Sequence, residues 1–428
     1  YPIFDTLSFI KPEEEIMIYP LNLREVSYAL SEALDYVGID DTMHGKRVAF
    51  MSAEVAKKLG WNQSQIDDII MMGMLHDCGV SSTDVHTHLV TELDWDNSQV
   101  HCIRGASLLE KVDIYCDYAP IILYHHTHWD QFDPGVDTET KIYANLIYLT
   151  DRVDALRVQI GDANTRERHE IEAIIRKYSG SMFSPALVEA FLETSLSDSF
   201  WFYLEPEALN DYFSEWIESG GSENVPFETL KNVAMMFADV VDAKSTFTSS
   251  HTYAVASLAR YIAELYGLPQ QTQEKIELSA FFHDLGKLRV ADAILHKNGP
   301  LDDEERLQMN RHGFDSHMIL RKIKGFHEIA KIASMHHETL DAQGYPYHLG
   351  GDQIPIEARI LTVADIFQAL VQDRPYRSGL NSDNAYQILQ KMGEEGKLDL
   401  SVLTLLHTHL QECYAHALPQ NADSRKPA

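Results

Sequence analysis

Apolar residues along this chain recur at intervals of three and four rather than in alternation, the period of helices that bury one stripe. Val48, Met51, Val55 and Leu59, closed by Gly60, form one such stripe; Val255, Leu258, Ile262 and Tyr266, closed by Gly267, form another. Both predict an amphipathic helix stopped by a glycine C-cap, since glycine enters the left-handed conformation that ends a helix without strain. No convincing run of alternating β-branched residues breaks the pattern, so the expected fold class is all-α. The two stripes stand 207 residues apart, and the polar residues around them repeat at the same distance. His44 precedes His76-Asp77 by 32 residues, as His251 precedes His283-Asp284. "HCIRGASLLEKV", from His101, matches "HGFDSHMILRKI", from His312; 24 residues further on, each half carries a histidine pair, His125-His126 and His336-His337. "YLTDRVDAL" and "LTVADIFQAL" then bring Asp151 onto Asp365. The chain is an internal duplication with small insertions.

A length of 428 residues exceeds what one hydrophobic core usually supports. The expected junction is "ESGGSENVP", residues 218–226, where Gly220 and Gly221 interrupt the helical pattern. Residues 1–220 then form the first domain and residues 221–428 the second. Within the first, residues 155–220 read as a helical connecting region, and its aromatic stretch "FWFYLEPEALNDYF" is expected to pack between the repeats.

Charge narrows the choice of partner. Asp and Glu number 65 against 35 Lys and Arg, a net charge of -30, and no basic stripe exists to release counterions from a long nucleic acid or to attract acidic lipid headgroups. A small anion held by local cations is still compatible. Four cysteines, at 78, 102, 116 and 413, make no CxxC pair and no disulfide framework, which points to a reducing compartment. With no apolar run of about 18 residues and no charged-then-apolar leader, the expected location is cytoplasmic, away from membranes. Cys102, beside His101, reads as a small buried residue.

The histidines carry the chemistry. Neutral imidazole and carboxylate are the usual protein ligands for first-row divalent metals, and each half supplies seven candidates in the order His, His-Asp, His, His-His, Asp. Seven are too many for one ion. An aspartate can bridge two ions about 3.5–4 Å apart, and such a pair holds a hydroxide for in-line attack on phosphorus. The spacing therefore predicts a two-metal phosphohydrolase.

This ordered set resembles the HD superfamily of metal-dependent phosphohydrolases. In the second half, "HDLGKL" (283–288), "HHETLDAQGYP" (336–346) and "ADIFQALVQDRPYR" (364–377) resemble one branch of it, the HD-GYP domains, bacterial phosphodiesterases of cyclic dinucleotides. The resemblance covers about residues 225 to 415 and implies two tandem HD-type helical domains, the second an HD-GYP domain. It also implies that His251, His283, Asp284, His312, His336, His337 and Asp365 are metal ligands, with Asp284 the bridge between two divalent transition-metal ions (Fe, Mn, Ni or Zn). Lys287 corresponds to the family's lysine near the scissile phosphate, where a cation would stabilise developing charge. Arg374 and Arg377 match positions that hold phosphate oxygens, for which guanidinium geometry is suited. Gly344, Tyr345 and Pro346 would form a tight turn facing the substrate, the glycine supplying φ > 0 and the tyrosine a ring with a hydroxyl. Glu338 and Asp341 read either as orienters of the histidines or as helix-end charges.

The chain also departs from the family. Phe247 stands where some members carry a glutamate for a third metal, so two metals are expected; Ser250 and Ala254 replace a usual glycine and arginine at the pocket mouth. The first half keeps a candidate second metal site in His44, His76, Asp77, His101, His125, His126 and Asp151. It has Val80 in the place of Lys287, no Gly-Tyr-Pro and no Arg-Pro-Tyr-Arg, so a regulatory or packing role is expected of it. A degenerate HD repeat ahead of an HD-GYP repeat is similar to the 3'3'-cyclic GMP-AMP phosphodiesterases of Vibrio. The resemblance thus implies hydrolysis of 3'3'-cyclic GMP-AMP or cyclic di-GMP to a linear dinucleotide, a product from which some relatives remove the 5'-phosphate. The competing expectations are a nucleotidase of the wider superfamily and a non-catalytic cyclic-dinucleotide receptor.

Overall fold

The computed structural model describes residues 18–38, 43–244, 251–373 and 378–418. Within them the stripe residues Val48, Met51 and Val55, and Val255, Leu258 and Ile262, are fully buried. The last stripe positions, Leu59 and Tyr266, are instead exposed, because the helix ends there and the chain turns outward. Gly60 and Gly267 take φ of 77° and 79°. The amides that follow them, Trp61 and Leu268, donate back to the carbonyls of Ala56 and Ala263 at 3.1 Å, closing the expected caps.

Six helices recur in each half. The first repeat has α1 (Leu23–Asp35), α2 (His44–Lys58), α3 (Gln63–Leu75), α4 (Gln99–Leu109), α5 (Ala119–Tyr124) and α6 (Thr138–Ile160). The second has α7 (Phe227–Lys244), α8 (His251–Leu265), α9 (Gln270–Phe282), α10 (His312–Leu320), α11 (His327–Ser334) and α12 (Ile356–Val371). In both, the helix that begins with a histidine packs on the next helix and on the long helix carrying the final aspartate, so side chains from several helix ends converge. The described residues contain just two strands, β1 (Ile18–Leu21) and β2 (Glu223–Pro226), paired antiparallel from Ile18 opposite Pro226 to Leu21 opposite Glu223. This ribbon, too short to show a period in the sequence, ties the entry to α1 to the junction before α7. No described helix is long and apolar enough to cross a membrane.

The aromatic segment before the junction packs on the first repeat, not between the repeats. Tyr212 meets Phe50 of α2 edge-on at 5.0 Å between ring centroids, Phe213 lies 6.3 Å from Tyr28 of α1, and Trp216 Nε1 donates to Asp67 at 2.8 Å. The reason is the bulk on α2. Where α2 presents Phe50, the equivalent position of α8 is Ser257, which needs no aromatic cover and bonds His416 of the C-terminal helix Leu410–Ala417 at 2.8 Å.

The repeats face each other through equivalent elements. α1 packs on α10 and on the Leu285–Arg289 turn, while α7 packs on α4. Lys322 Nζ pairs with Glu32 at 2.5 Å, and Lys111 Nζ, its counterpart in the duplication, pairs with Asp239, the counterpart of Glu32, at 3.1 Å. Between these bridges the Thr83 amide donates to Asp292 at 2.9 Å. A contact in which a patch meets its own copy is isologous, the arrangement of a two-fold dimer.

Candidate metal centres

The histidines sit at helix ends, where carbonyls lack intrahelical partners. That placement determines their protonation. His76, His125, His283, His312 and His336 each direct Nδ1 at the carbonyl three residues back, at 2.6 to 2.7 Å: Gly73, Ile122, Ala280, Met309 and Ala333. A carbonyl only accepts, so Nδ1 carries a proton and Nε2 is the nitrogen that faces inward, available to a metal wherever it holds no second proton.

In the second repeat these lone pairs converge on Asp284. Its Oδ2 lies 3.3 Å from His283 Nε2, and its Oδ1 lies 3.5 Å from His312 Nε2 and 3.8 Å from His336 Nε2. The carboxylate therefore faces two groups at once. On the Oδ2 side, Asp365 Oδ1 stands 3.4 Å from His251 Nε2 and 3.9 Å from His283 Nε2. On the Oδ1 side, the ligand atoms of His312, His336 and His337 all lie within 4.8 Å of one another. His251 is steered by a residue that sequence reasoning missed, Gln368, whose Oε1 is 2.5 Å from Nδ1. Gln368 lies one turn after Asp365 on the same face of α12, a spacing that could have revealed it.

The electrostatics match that donor set. Burial works against charge on His283, yet Asp284 and Asp365 outweigh it and raise the imidazole to about 9. Burial pushes His312 down to about 4 and, with the neighbouring His312 ring, His337 to about 3, so both are neutral at physiological pH. For Asp284, burial is opposed by His283 and Lys287, which hold the carboxyl well below its usual range. Asp284 Oδ1 is buried with no hydrogen-bond partner, and the Nε2 atoms of His312 and His336, each an acceptor, face one another at 3.1 Å. Buried acceptors aimed at each other are costly unless a cation lies among them, so these residues fit divalent metal.

Around this centre the other expected residues divide. Lys287 is a quarter exposed and its Nζ lies 2.5 Å from Asp284 Oδ2. Tyr345 lays its ring 4.7 Å from that of His337, and the Tyr345-Pro346 bond is cis. Gly344 is required for a different reason from the one expected: it has no positive φ, but a Cβ there would lie 2.4 Å from the His337 carbonyl and 2.5 Å from the backbone of Glu338 and Thr339. Close approach of two backbone segments is what demands glycine. Glu338 is neither an orienter of histidines nor a helix-end charge; buried, it accepts from the amides of Tyr347 at 2.6 Å and Leu349 at 2.9 Å and so pins the far side of the turn. Asp341 accepts from Thr339 Oγ1 and the Gln343 amide within its own turn. Arg374 and Arg377 lie outside the described residues, as do Phe247 and Ser250. Ala254 is buried in α8.

The first repeat brings its seven candidates together in a similar frame. Asp77 Oδ2 lies 3.5 Å from His76 Nε2 and 3.7 Å from His44 Nε2, while Oδ1 lies 3.4 Å from His101 Nε2. Asp151 contacts His44 Nε2 at 3.3 Å and His126 Nε2 at 3.5 Å, and His101 Nε2 meets His125 Nε2 at 3.1 Å. Two buried cations alter the surroundings. Arg152 donates to Asp151 Oδ2 at 2.7 Å, and Arg47 binds Asp154, which holds His44 Nδ1 at 2.8 Å as Gln368 holds His251. The cavity at this cluster is lined by His44, His76 and Asp77 together with Leu34, Val37, Met74 and Val80, and has room for roughly one buried water.

Comparison with known proteins agrees with this frame. Two HD-domain family models match, one over residues 43–156 and one over residues 235–402. The chain is 34% identical, over 94% of its length and 95% of the relative's, to the 3'3'-cGAMP-specific phosphodiesterase 1 of Vibrio cholerae serotype O1. It is 31% identical to the 3'3'-cGAMP-specific phosphodiesterase 3 of the same organism, over 68% of this chain and 63% of that one. A cyclic di-GMP phosphodiesterase response regulator of Xanthomonas campestris is 36% identical over 38% of this chain and 42% of its own. Among solved structures, a cyclic GMP-AMP specific phosphodiesterase of V. cholerae superposes with a TM-score of 0.63 at 22% identity, covering 92% of this chain and 98% of that one, and thus shares the fold.

Proposed function

This chain belongs to the HD-domain phosphodiesterases that include the V. cholerae 3'3'-cGAMP-specific enzymes, and from that premise we propose that its second repeat hydrolyses 3'3'-cyclic GMP-AMP or cyclic di-GMP to a linear dinucleotide. One observation carries the reading. The two oxygens of Asp284 face two histidine groups while Lys287 contacts the same carboxylate from the exposed side, and in the first repeat that cation is replaced by buried Val80.

Two divalent ions, drawn from Fe, Mn, Ni and Zn, fit the donors: His251, His283, Asp284 and Asp365 for one, and Asp284, His312, His336 and His337 for the other. When bound, such a pair supplies Lewis acidity for activating water and offsetting phosphate charge. The chain's own groups do the rest. Lys287 offsets charge on the departing oxygen, and Tyr345, held by Gly344 and Pro346, shapes the wall beside His337. Arg374 and Arg377, by the family resemblance of their sequence positions, are the cations proposed to grip the phosphates. In this reading residues 221–428 are the catalytic domain, residues 1–220 a degenerate HD-like domain, and the enzyme acts in the cytoplasm.

The test is product analysis with both cyclic dinucleotides under matched metal conditions. We expect a linear dinucleotide, lost in Asp284→Ala and strongly reduced in Lys287→Ala; a later gain of inorganic phosphate would mark removal of the 5'-phosphate. Cleavage of linear monoesters alone, or binding of cyclic dinucleotide without turnover in metal-loaded protein, would overturn the proposal.

A further inference from the structure

Cys102 occupies a place in the first repeat that its counterpart in the second repeat could not share. The counterpart is Gly313, where an added Cβ would lie 2.9 Å from the Ser334 carbonyl and 3.3 Å from Pro346 Cδ. Pro346 belongs to the Gly-Tyr-Pro turn, which the first repeat lacks. In the first repeat the position carries a side chain, and it ends in sulfur.

The thiol donates to the Ser98 carbonyl at 3.4 Å and faces a cluster of ligand atoms. Cys102 Sγ lies 3.8 Å from His101 Nε2, and Sγ and the ligand atoms of His101 and His125 are all within 4.8 Å of one another. His101 Nε2 is 3.1 Å from His125 Nε2 and 3.4 Å from Asp77 Oδ1, and that oxygen is buried without a hydrogen-bond partner. A tetrahedral ion with metal–nitrogen and metal–oxygen bonds of about 2.0–2.1 Å and a metal–sulfur bond of about 2.3 Å would hold such N–N and N–O pairs about 3.3 Å apart and the N–S pair about 3.6 Å apart. All three separations from His101 Nε2 lie within a few tenths of an ångström of those values. His101, Cys102 and His125 are each at least 98% buried.

We propose that the first repeat binds a thiophilic divalent ion of the zinc class through Cys102 Sγ, His101 Nε2, His125 Nε2 and Asp77 Oδ1. The thiol loses its proton to solvent as the metal–sulfur bond forms, and the other three groups donate existing lone pairs. A thiolate in the ligand set favours soft and borderline ions, whereas the corresponding set in the second repeat contains only imidazole and carboxylate. The duplicated sites thereby differ in metal preference. This inference does not depend on which dinucleotide is the substrate.

Cobalt provides the test, since a thiolate bound to Co²⁺ gives a strong near-ultraviolet charge-transfer absorption that imidazole and carboxylate ligands do not. The full chain, stripped of metal and reloaded with Co²⁺, should show this band; Cys102→Ala should lose the band together with about one equivalent of bound metal. If that variant fails to fold, the triple variant Cys78→Ala/Cys116→Ala/Cys413→Ala, with Cys102 its sole cysteine, should keep the band. Fully loaded wild-type protein without the band, a band that survives Cys102→Ala, or a folded sole-cysteine variant that lacks it would each overturn the proposal.

Discussion

Asp284 and Lys287 illustrate how two residues in one contact carry separable work. Asp284 offers an oxygen to each histidine group, so Asp284→Ala should lose bound metal and activity together. Lys287 touches only Oδ2 and is partly exposed, so Lys287→Ala should keep its metal while kcat falls by about 10²–10³-fold, the usual loss when one charge-stabilising group is removed. Metal analysis beside steady-state kinetics separates the two outcomes. His283 makes a second prediction through its proton. Its folded pKa of about 9 exceeds the ordinary value of 6.5, so in metal-free protein the protonated form stabilises the fold fully below pH about 6.5, and this contribution is lost as pH rises through about 9. A cation on Nε2 must displace that proton. Binding near pH 7 should therefore release about one proton from His283, release should decline toward zero above pH about 9, and apparent affinity should climb across the same window. His312 and His337, already neutral, add nothing. Calorimetric titration in buffers of differing ionisation heat measures this, and proton release unchanged from pH 6.5 to 10 would contradict it. The histidines and aspartates that converge were legible in the sequence because a duplication printed their spacing twice. Gln368 and Asp154 were not read there, since the Nδ1 atoms they hold, of His251 and His44, belong to other helices.

At the scale of elements, Glu338 ties together the two sides of the turn between α11 and α12. Glu338 follows the histidine pair directly and reaches across the Gly-Tyr-Pro turn to the amides of Tyr347 and Leu349. Glu338→Ala would leave both donors without that acceptor, at a cost of about 1–3 kcal/mol. The turn should then loosen where it approaches Tyr345. Denaturant unfolding should show the lost stability, and kinetics should show a rise in KM larger than the fall in kcat. Glu338→Gln, which retains one acceptor oxygen, should recover part of both; equal effects from the two substitutions would indicate that charge, not the bond to the turn, is what matters. Elements of this kind divide by how much period they contain. Helices α2 and α8 were readable from four stripe positions and a glycine, whereas β1 and β2, with four residues each, have too few positions to display alternation. The turn was readable as a turn, but the reason for Gly344 was not, because the clash that excludes a side chain comes from residues folded back over it.

The whole molecule is built as a two-fold dimer joined into one chain, and the joint lies beside the active half. The Tyr36–Gly38 turn after α1 meets the Leu285–Arg289 turn, which carries Lys287; there Arg289 sits over the Tyr36 ring at 4.9 Å. The duplication was plain in the sequence, but the packing face was not, because Glu32, Asp239, Lys111 and Lys322 read singly as ordinary surface charges and acquire meaning only as two copies of one bridge. The first repeat thus walls one side of the turn that carries Lys287, the lysine proposed to offset charge, whether or not it turns over substrate itself. Tyr36→Ala tests that role. The ring's contact with Arg289 is worth about 0.5–1 kcal/mol and its packing on the core adds to that, so denaturant unfolding is measured beside the kinetics to confirm that the variant stays folded. Lys287, two residues from the released arginine, should lose some of its positioning, and kcat should fall several-fold with metal content and KM nearly unchanged. Adding Lys287→Ala to Tyr36→Ala should then cost no more than Lys287→Ala alone, since the tyrosine acts through the lysine. Fully additive losses would mean that the wall and the lysine work independently, and that the Lys287 turn is held by its own repeat.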